Sequence, residues 1–272
     1  MKIQIRQYNA IKTTVSFFSK KLKNIFDKFV NKIGRKLAIS IDDILTISLF
    51  KSTNAIATKK AAYEILDLKD ICSYKTLVVN MNRFAKLAAV ILILLMKINK
   101  HNNPHLIKHI DSTDIPVCLF KNANRHKTMK LLSAFSRNSK GTYFGLKLHL
   151  LTDLNRNILA LKFTPANVDD RKPVPDLCED VNGFIIADAG YVSDKLAKEI
   201  YEEGKRIFIA KPKKNMKKLM TKFEEWLYKT RFKIEYNFRD LKLFKGLITS
   251  LPRSVDGYLA NYIYSLLAYQ IA

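Results

Sequence analysis

The sequence predicts a mixed α/β fold, in which an all-helical region precedes a mixed β-sheet with flanking helices. Two observations support this prediction. Before Pro104, apolar side chains recur every three or four positions, as in helices. After Pro104, apolar residues alternate with polar ones or form short runs between turn residues, as in strands. We therefore expect a helical region at residues 1–104 and a second domain at residues 105–272.

Capping residues divide the helical region. Ser40, Thr58 and Ser73 each precede a stretch with helical periodicity and are suitable N-caps. The helix that follows Ser73 runs into the most apolar segment of the chain, Leu87–Met96. A membrane-spanning helix needs about 20 apolar residues, and this segment is much shorter. We interpret it as a buried core helix and expect no membrane partner.

The second region alternates between strands and helices. Three strands come first, and two shorter strands follow with a helix between them; two helices close the chain. The strands are predicted at residues 106–117, 143–151, 158–163, 183–187 and 206–210, and the helices at residues 193–203, 221–243 and 257–272. This order is typical of a mixed sheet with helices packed on it.

Charge is the unusual property of the composition. The chain has 48 Lys and Arg against 24 Asp and Glu, for a formal net charge of +24. Residues 1–104 contain 19 basic and 6 acidic side chains, and residues 105–272 contain 29 and 18. An excess spread over both regions indicates a polyanionic partner, with nucleic acid first and an anionic membrane surface second.

Cysteine usage bears on the cellular compartment. Cys72, Cys118 and Cys178 are far apart and odd in number, so they suit neither a disulfide framework nor a Cys-x-x-Cys metal site. No apolar segment of signal-peptide type follows Lys2 and Arg6. We expect a cytoplasmic protein with reduced cysteines.

Two aspartates stand in apolar, strand-like segments. Asp111 lies in the first predicted strand and Asp188 ends a later one. A carboxylate buried at such a position costs several kcal/mol unless it is paired or binds a cation. Each residue alone is equally compatible with a hydrogen-bonded aspartate at a strand end. Two such acids in one sheet favour a metal site.

A stripe of polar residues follows one face of the predicted helix 221–243. Its members are spaced at i, i+3, i+7 and i+14, which is usually the spacing of an apolar core stripe. A structural salt-bridge stripe would explain them, and so would a third metal ligand accompanied by groups that contact phosphates. The four residues are Tyr228, Arg231, Glu235 and Lys242.

Two Asp and one Glu suit Mg²⁺, which prefers a few carboxylate oxygens and keeps water or phosphate oxygens in its other positions. Two such ions, roughly 3.5–4 Å apart, stabilise both the attacking and the leaving oxygen in a displacement at phosphorus. The three acids, Asp111, Asp188 and Glu235, therefore predict metal-dependent phosphoryl transfer.

These motifs together resemble the bacterial insertion-sequence transposases of the DDE class that carry the Tyr-Arg-Glu-Lys signature. The motifs are Asp111-Ser-Thr, Tyr-Phe-Gly-Leu-Lys-Leu-His-Leu-Leu-Thr-Asp153, Thr-Pro-Ala-Asn-Val-Asp-Asp170, Ala-Asp188-Ala-Gly-Tyr-Val-Ser and Tyr228-x-x-Arg231-x-x-x-Glu235-x6-Lys242. The resemblance covers about residues 105–270 and is looser for the helical region.

The resemblance implies a ribonuclease H-like catalytic domain that cleaves DNA and transfers strands at the ends of a mobile element. It implies two Mg²⁺ ions, with Mn²⁺ as a possible substitute, held by Asp111, Asp188 and Glu235. Tyr228, Arg231 and Lys242 would contact DNA near the scissile phosphate. The partners would be terminal inverted repeats and target DNA, bound by a homodimer close to the nucleoid.

The chain departs from many relatives at two positions near the predicted site. Ala189 stands where many have Lys, and Asp114 stands where many have Pro or an apolar residue. Asp114 therefore competes with Asp111 as a ligand. Residues three apart on a strand point to opposite faces, and Asp111 lies in the apolar body of the strand, so we expect Asp111 to be the ligand.

Further DNA contacts are predicted from basic residues. On the helix after Ser73, Lys75 and Arg83 share a face with Asn82 and Lys86, which suits either a DNA groove or solvent. A basic run ahead of helix 221–243 favours contact with the DNA backbone; it consists of Lys211, Lys213, Lys214, Lys217 and Lys218. Trp226 is interpreted as a core residue.

Two other functions use the same residues. A decayed or repurposed copy would bind element ends without cutting them. A structure-selective nuclease of the same fold would share the acids, but it has no reason to carry the Tyr-Arg-Glu-Lys stripe.

Overall fold

The structure is a computed structural model that describes residues 2–29, 36–204, 206–213 and 215–271. In these ranges the α-helices are α1 (Lys2–Lys21), α2 (Lys23–Phe29), α3 (Ile41–Thr53), α4 (Lys59–Ile65), α5 (Tyr74–His101), α6 (Val174–Cys178), α7 (Asp194–Gly204), α8 (Lys222–Lys229), α9 (Phe232–Phe244) and α10 (Val255–Gln270). The strands are β1 (Ile107–Pro116), β2 (Ala134–Asn138), β3 (Gly141–Asp153), β4 (Ile158–Pro165), β5 (Phe184–Ala187) and β6 (Ile207–Ala210).

The strands form one mixed sheet in the order β2-β3-β1-β5-β6, with β4 also paired to β3. The β1, β2, β3 and β4 pairings are antiparallel, whereas β1 pairs with β5, and β5 with β6, in parallel. Neighbouring side chains of β5 point to opposite faces: Ile185 packs with the residues of α6 and α7, and Ile186 packs with Leu227 of α8. The predicted mixed α/β fold, with helices ahead of a mixed sheet, is confirmed.

The chain divides into two compact units. Unit 1 comprises residues 1–94 and 240–272, and unit 2 comprises residues 95–239. The division predicted from sequence lies between residues 104 and 105 and assigns the closing helix to the catalytic domain. In the structure α10 packs with α3, and the Tyr264 hydroxyl donates a hydrogen bond to the Met81 carbonyl oxygen at 2.8 Å. Apolar residues of α10 therefore complete the core of the N-terminal helices.

Helix α5 contains the apolar segment 87–96. Its 28 residues are long and apolar enough to cross a membrane by length and composition, and half of its most apolar stretch is buried inside the protein. Core helices share these properties, so the expectation that the protein has no membrane partner stays a prediction.

Gly183 is required at the start of β5. Its φ is +87°, and an added Cβ would lie 2.2 Å from the Leu106 carbonyl oxygen. That oxygen accepts the Phe184 N–H at 2.8 Å and so aligns β5 with the chain entering β1. A side chain at residue 183 would disrupt this contact.

We expect Gly183→Ala to lower the free energy of unfolding by about 2 kcal/mol, measured by urea denaturation. Gly190→Ala is the matched control, because a Cβ there meets nothing within 4 Å. Equal losses in the two variants would show that the close approach to Leu106 carries no strain.

Candidate active site

The parallel pairing of β1 and β5 brings the two aspartates together. Ile107 pairs with Phe184 and His109 with Ile186. The same register, continued two residues beyond the ladder, sets Asp111 opposite Asp188. Asp188 follows the last residue of β5 in an extended conformation and precedes a short 3₁₀ turn. Carboxyl ends of parallel strands are a common place for ligand-binding side chains.

The predicted helix 221–243 is two helices, so that prediction was wrong at residues 230 and 231. Helix α8 begins with a capping box between Thr221 and Glu224 and ends at Lys229. The Thr230 hydroxyl donates to the Leu227 carbonyl oxygen at 2.7 Å. It also lies 2.7 Å from Nε2 of the buried His109 on β1. These contacts end α8 and place Arg231 in the turn before α9.

Arg231 joins two of the three predicted metal ligands. Its Nη1 donates to Asp111 Oδ2 at 2.7 Å, and its Nη2 donates to Glu235 Oε1 at 2.7 Å. The Tyr228 hydroxyl donates to Asp188 Oδ1 at 3.2 Å. The Arg231 guanidinium carbon lies 5.7 Å from the centre of the Tyr228 ring. The three acids, the arginine and the tyrosine thus form one polar cluster within unit 2.

The cluster combines a mostly buried charge pair with a more exposed one. The side chains of Arg231 and Asp111 are 12% and 20% exposed, whereas that of Glu235 is 58% exposed. Burial raises the pKa of Asp111 to about 6, while Arg231 acts to lower it and Asp188 acts to raise it. Asp111 is therefore a carboxylate that depends on a neighbouring cation.

The residues fit Mg²⁺ in their chemistry, because carboxylate oxygens are its preferred donors and Asp111 requires a cation. Across the described ranges, no group of three or more His, Cys, Asp or Glu side chains is arranged to hold a metal ion. Arg231 supplies the positive charge between Asp111 and Glu235 instead. Coordination of a metal by both acids requires the guanidinium to release them.

A second set of contacts supports Asp111 from β1 and its neighbours. The Ser112 N–H donates to Asp111 Oδ1 at 2.8 Å. The Ser112 hydroxyl donates to Asp170 Oδ1 at 2.9 Å, and Lys147 Nζ lies 2.9 Å from the same oxygen. From sequence, Asp170 and the strand of Lys147 stand out only as parts of motifs. Lys147 lies between two leucines of its strand, and that polar residue in an apolar frame was the available signal, whereas Asp170 lies between Asp169 and Arg171 and offered none.

Burial keeps His109 neutral beside the cluster. It lowers the pKa of His109 to about 4, and the charges of Lys233 and Arg231 act in the same direction. The ring nitrogen Nε2 meets Thr230, so this histidine holds the turn that carries Arg231. Sequence reasoning missed Thr230, because an isolated threonine in a helical pattern carries little signal.

The predicted basic run lies on the surface of unit 2. Lys211, Lys213, Lys217 and Lys218 are exposed, and Lys214 lies outside the described residues. Lys211 Nζ lies 5.0 Å from the centre of the Tyr228 ring, so one end of the basic run lies next to the polar cluster. Lys242 is in the last turn of α9 and belongs to unit 1.

The predicted basic face of α5 is only partly available. Lys75 and Lys86 are exposed. Arg83 is half-buried, and its Nη2 donates to the Phe29 carbonyl oxygen at 3.0 Å. Asn82 accepts a hydrogen bond from Lys59. Two of the four side chains thus hold the helices of unit 1 together.

Trp226 is not a core residue, contrary to its interpretation from sequence. Its side chain is 56% exposed and stacks on Phe223, with ring centres 6.1 Å apart. Phe223 in turn meets Phe184 edge to face. The cause is the orientation of α8, which turns Leu227 toward the sheet and Trp226 toward solvent.

Comparison with known proteins identifies a family for the part of the chain that contains the cluster. The family model described as a transposase DDE domain matches residues 101–254, more than half of the chain. One similar solved structure is described as the crystal structure of a pre-cleavage Mos1 transpososome. The identity is 11%, the match covers 89% of this chain and 80% of that chain, and the TM-score is 0.25. No curated protein matches the chain.

Proposed function

The chain belongs to the transposase DDE domain family, and on that premise we propose that it cleaves and transfers DNA strands at the ends of an insertion sequence with two bound Mg²⁺ ions. The observation that carries the proposal is the cluster around Arg231. It unites Asp111, Asp188 and Glu235, which are distant in sequence, at one end of the sheet. The Tyr228 and Arg231 contacts favour the Tyr-Arg-Glu-Lys subtype.

In this proposal Asp111, Asp188 and Glu235 are the ligands of the ions. Bound Mg²⁺ would neutralise charge on the transferred phosphoryl group and lower the pKa of the attacking hydroxyl or water. Arg231, once released from its carboxylate partners, presents its five N–H donors to a phosphate. Tyr228 orients Asp188 through its hydroxyl group. The Ser112 N–H fixes the rotamer of Asp111.

We further propose that double-stranded DNA, as terminal inverted repeats and as target, is the partner. The net charge of +24 supplies the attraction. The exposed lysines of the basic run, together with Lys242 and Lys75, would contact the backbone. Joining two element ends favours a homodimer on DNA, in the cytoplasm close to the nucleoid.

A nicking assay tests the proposed function. Duplex DNA carrying the element ends is incubated with the protein and Mg²⁺, Mn²⁺ or EDTA, beside a duplex of scrambled sequence. Cleavage at the ends that needs a divalent ion is expected. Specific binding without cleavage would instead identify a repurposed DNA-binding derivative, and cleavage of any branched duplex without end preference would identify a structure-selective nuclease.

DNA binding should depend steeply on salt. We expect the logarithm of the affinity to fall by about 0.9 per neutralised phosphate for each unit of log salt concentration. Replacing Lys213, Lys217 and Lys218 by Gln should reduce that slope by about 1 for each phosphate that is no longer neutralised, without a change in sequence preference. The measurement is fluorescence anisotropy from 50 to 300 mM salt, roughly the range over which such binding weakens.

The control variant replaces Lys140, Lys195 and Lys198, which are also exposed lysines of unit 2. This variant lowers the net charge by the same amount. It therefore distinguishes the loss of specific phosphate contacts from the general effect of a lower net charge. Identical slopes for the two triple variants would exclude a specific role for the basic run.

A further inference from the structure

Unit 1 contains a cavity of its own. Its volume is about 590 Å³, within the range of about 300–1,000 Å³ that is usual for small-molecule sites. It is formed by the end of α3, the start of α4, one side of α5 and the segment that leads into α10. Its basic lining residues are Lys51, Lys59, Lys60 and Arg253, and no Asp or Glu of the described ranges lines it.

Lys51 is the most unusual of these residues. It is only 8% exposed, and among the described residues its ammonium group has no hydrogen-bond or ion-pair partner. Its place in the last turn of α3 is favourable by about 0.3–1 kcal/mol, because the helix dipole is negative there. Loss of hydration around a largely buried ammonium outweighs this gain. Among the described residues, the cavity therefore offers this charge no counterion.

Lys59 adds a second partly uncompensated charge. Its ammonium donates a hydrogen bond to Asn82 Oδ1 and has no carboxylate partner in the described part of the chain. Burial lowers the pKa of Lys59 to about 8, and the charge of Lys51 acts in the same direction. Two ammonium groups that repel each other in one cavity would be stabilised together by a single anion. Lys60 differs, because it pairs with Glu64 at 3.3 Å.

The remaining walls indicate the size and type of the anion. An inorganic phosphate fills only a small part of the volume. The Tyr74 ring, 38% exposed, and the apolar side chains of Val78, Leu251 and Pro252 line the rest. An aromatic ring next to apolar walls and an amide suits a base and its sugar. The combination of two ammonium groups and a flat ring is suited to a nucleotide.

We propose that this cavity binds a nucleotide through its terminal phosphate, with Lys51 and Lys59 on the phosphate and the base against Tyr74. A terminal phosphate carries about −1.5 to −2 charges at pH 7 and so neutralises both lysines, whereas a diester carries about −1. The ligand is either a free nucleotide or the phosphorylated end of a DNA strand. The site goes beyond the proposed function, because none of its residues belongs to unit 2.

Isothermal titration calorimetry of the full chain in EDTA tests the proposal. The ligands are 2′-deoxyadenosine 5′-monophosphate, deoxyadenosine, inorganic phosphate, and a short adenine oligonucleotide with or without a 5′-phosphate. The monophosphate should bind at least tenfold more tightly than either deoxyadenosine or inorganic phosphate. A preference for the phosphorylated oligonucleotide would identify a strand end as the source, and binding of the free nucleotide alone would identify the free form.

Three variants make the test specific. Lys51→Met should weaken binding of the monophosphate at least tenfold and should raise the melting temperature of the ligand-free protein, since it removes a charge from a largely buried side chain. Tyr74→Leu should weaken binding of the monophosphate but not of inorganic phosphate. Lys20→Met, an exposed lysine of α1 outside the cavity, should change neither.

Equal binding of the monophosphate by the unmodified chain and Lys51→Met would overturn the proposal, as would equal affinity for the nucleoside and the nucleotide. If inorganic phosphate bound as tightly as the nucleotide, the assignment of a nucleotide would be wrong. Each of these outcomes leaves the Mg²⁺-dependent cleavage assay unaffected, because that assay reports on the acids of unit 2.

Discussion

Asp111→Asn is expected to lower the rate of Mg²⁺-dependent cleavage by a factor on the order of 10⁴, the scale seen when a member of a catalytic group is removed. The amide cannot supply the negative charge that a divalent ion requires. Asp114→Asn should retain most of the activity. Asp111 meets Arg231 from the turn before α9, whereas Asp114 interacts with Tyr143 of β3.

The two variants form a matched pair, because each replaces one carboxylate of β1 by its isosteric amide. Single-turnover cleavage of element-end DNA measures the rates, and anisotropy shows whether binding is retained. Affinity for DNA should change little in both, since it comes from the basic surface. A loss confined to Asp114→Asn would move the first ligand to that residue and break the match of the first motif.

Arg231→Met is expected to lower the free energy of unfolding by about 2–3 kcal/mol in the absence of metal, because it leaves the mostly buried Asp111 without its partner. Protonation of Asp111, whose pKa is already about 6, limits the loss. The contact with Glu235 adds little, since that side chain is mostly exposed. Mg²⁺ should raise the melting temperature of Arg231→Met more than that of the unmodified chain.

Arg171→Met provides the comparison, because Arg171 pairs with Asp169 on the surface, with both side chains more than 40% exposed. We expect Arg171→Met to unfold at nearly the same urea concentration as the unmodified chain, because an exposed ion pair is screened by solvent. The double variant Asp111→Asn with Arg231→Met should recover much of the stability, because no unpaired charge remains. Urea denaturation with and without Mg²⁺ gives all of these values. If Arg231→Met and Arg171→Met lost the same free energy of unfolding, burial of the Arg231–Asp111 pair would not explain its contribution to stability.

The acidic site could be predicted largely from local sequence. Asp111 and Asp188 each stand out as a charge in an apolar frame, and their pairing follows from two strands that the pattern already indicates. The break before Arg231 could not be predicted in this way. The helical periodicity runs through residues 229–232 without interruption, and the contact that ends α8 comes from His109, more than one hundred residues earlier.

The sequence pattern also could not predict which segments of the chain form unit 1. The periodicity of residues 257–272 correctly indicates an apolar helix, but it does not say which core receives that helix. Trp226 is a second example. A tryptophan is usually buried, but the packing of Leu227 determines which side of α8 faces the sheet, and the sequence pattern does not contain that contact. Local pattern determines the elements, whereas the partner of each element depends on contacts between distant parts of the chain.

The discontinuity of unit 1 has a consequence for the order in which the chain folds. During synthesis, all residues of unit 2 emerge before α10 is made, so unit 2 can fold first while helix α3, which also packs with α1, still lacks α10. The side of α3 that packs with α10 then stays uncovered until α10 has been synthesised. A fragment that stops before residue 255 would hold the whole acidic cluster and yet keep that surface exposed permanently.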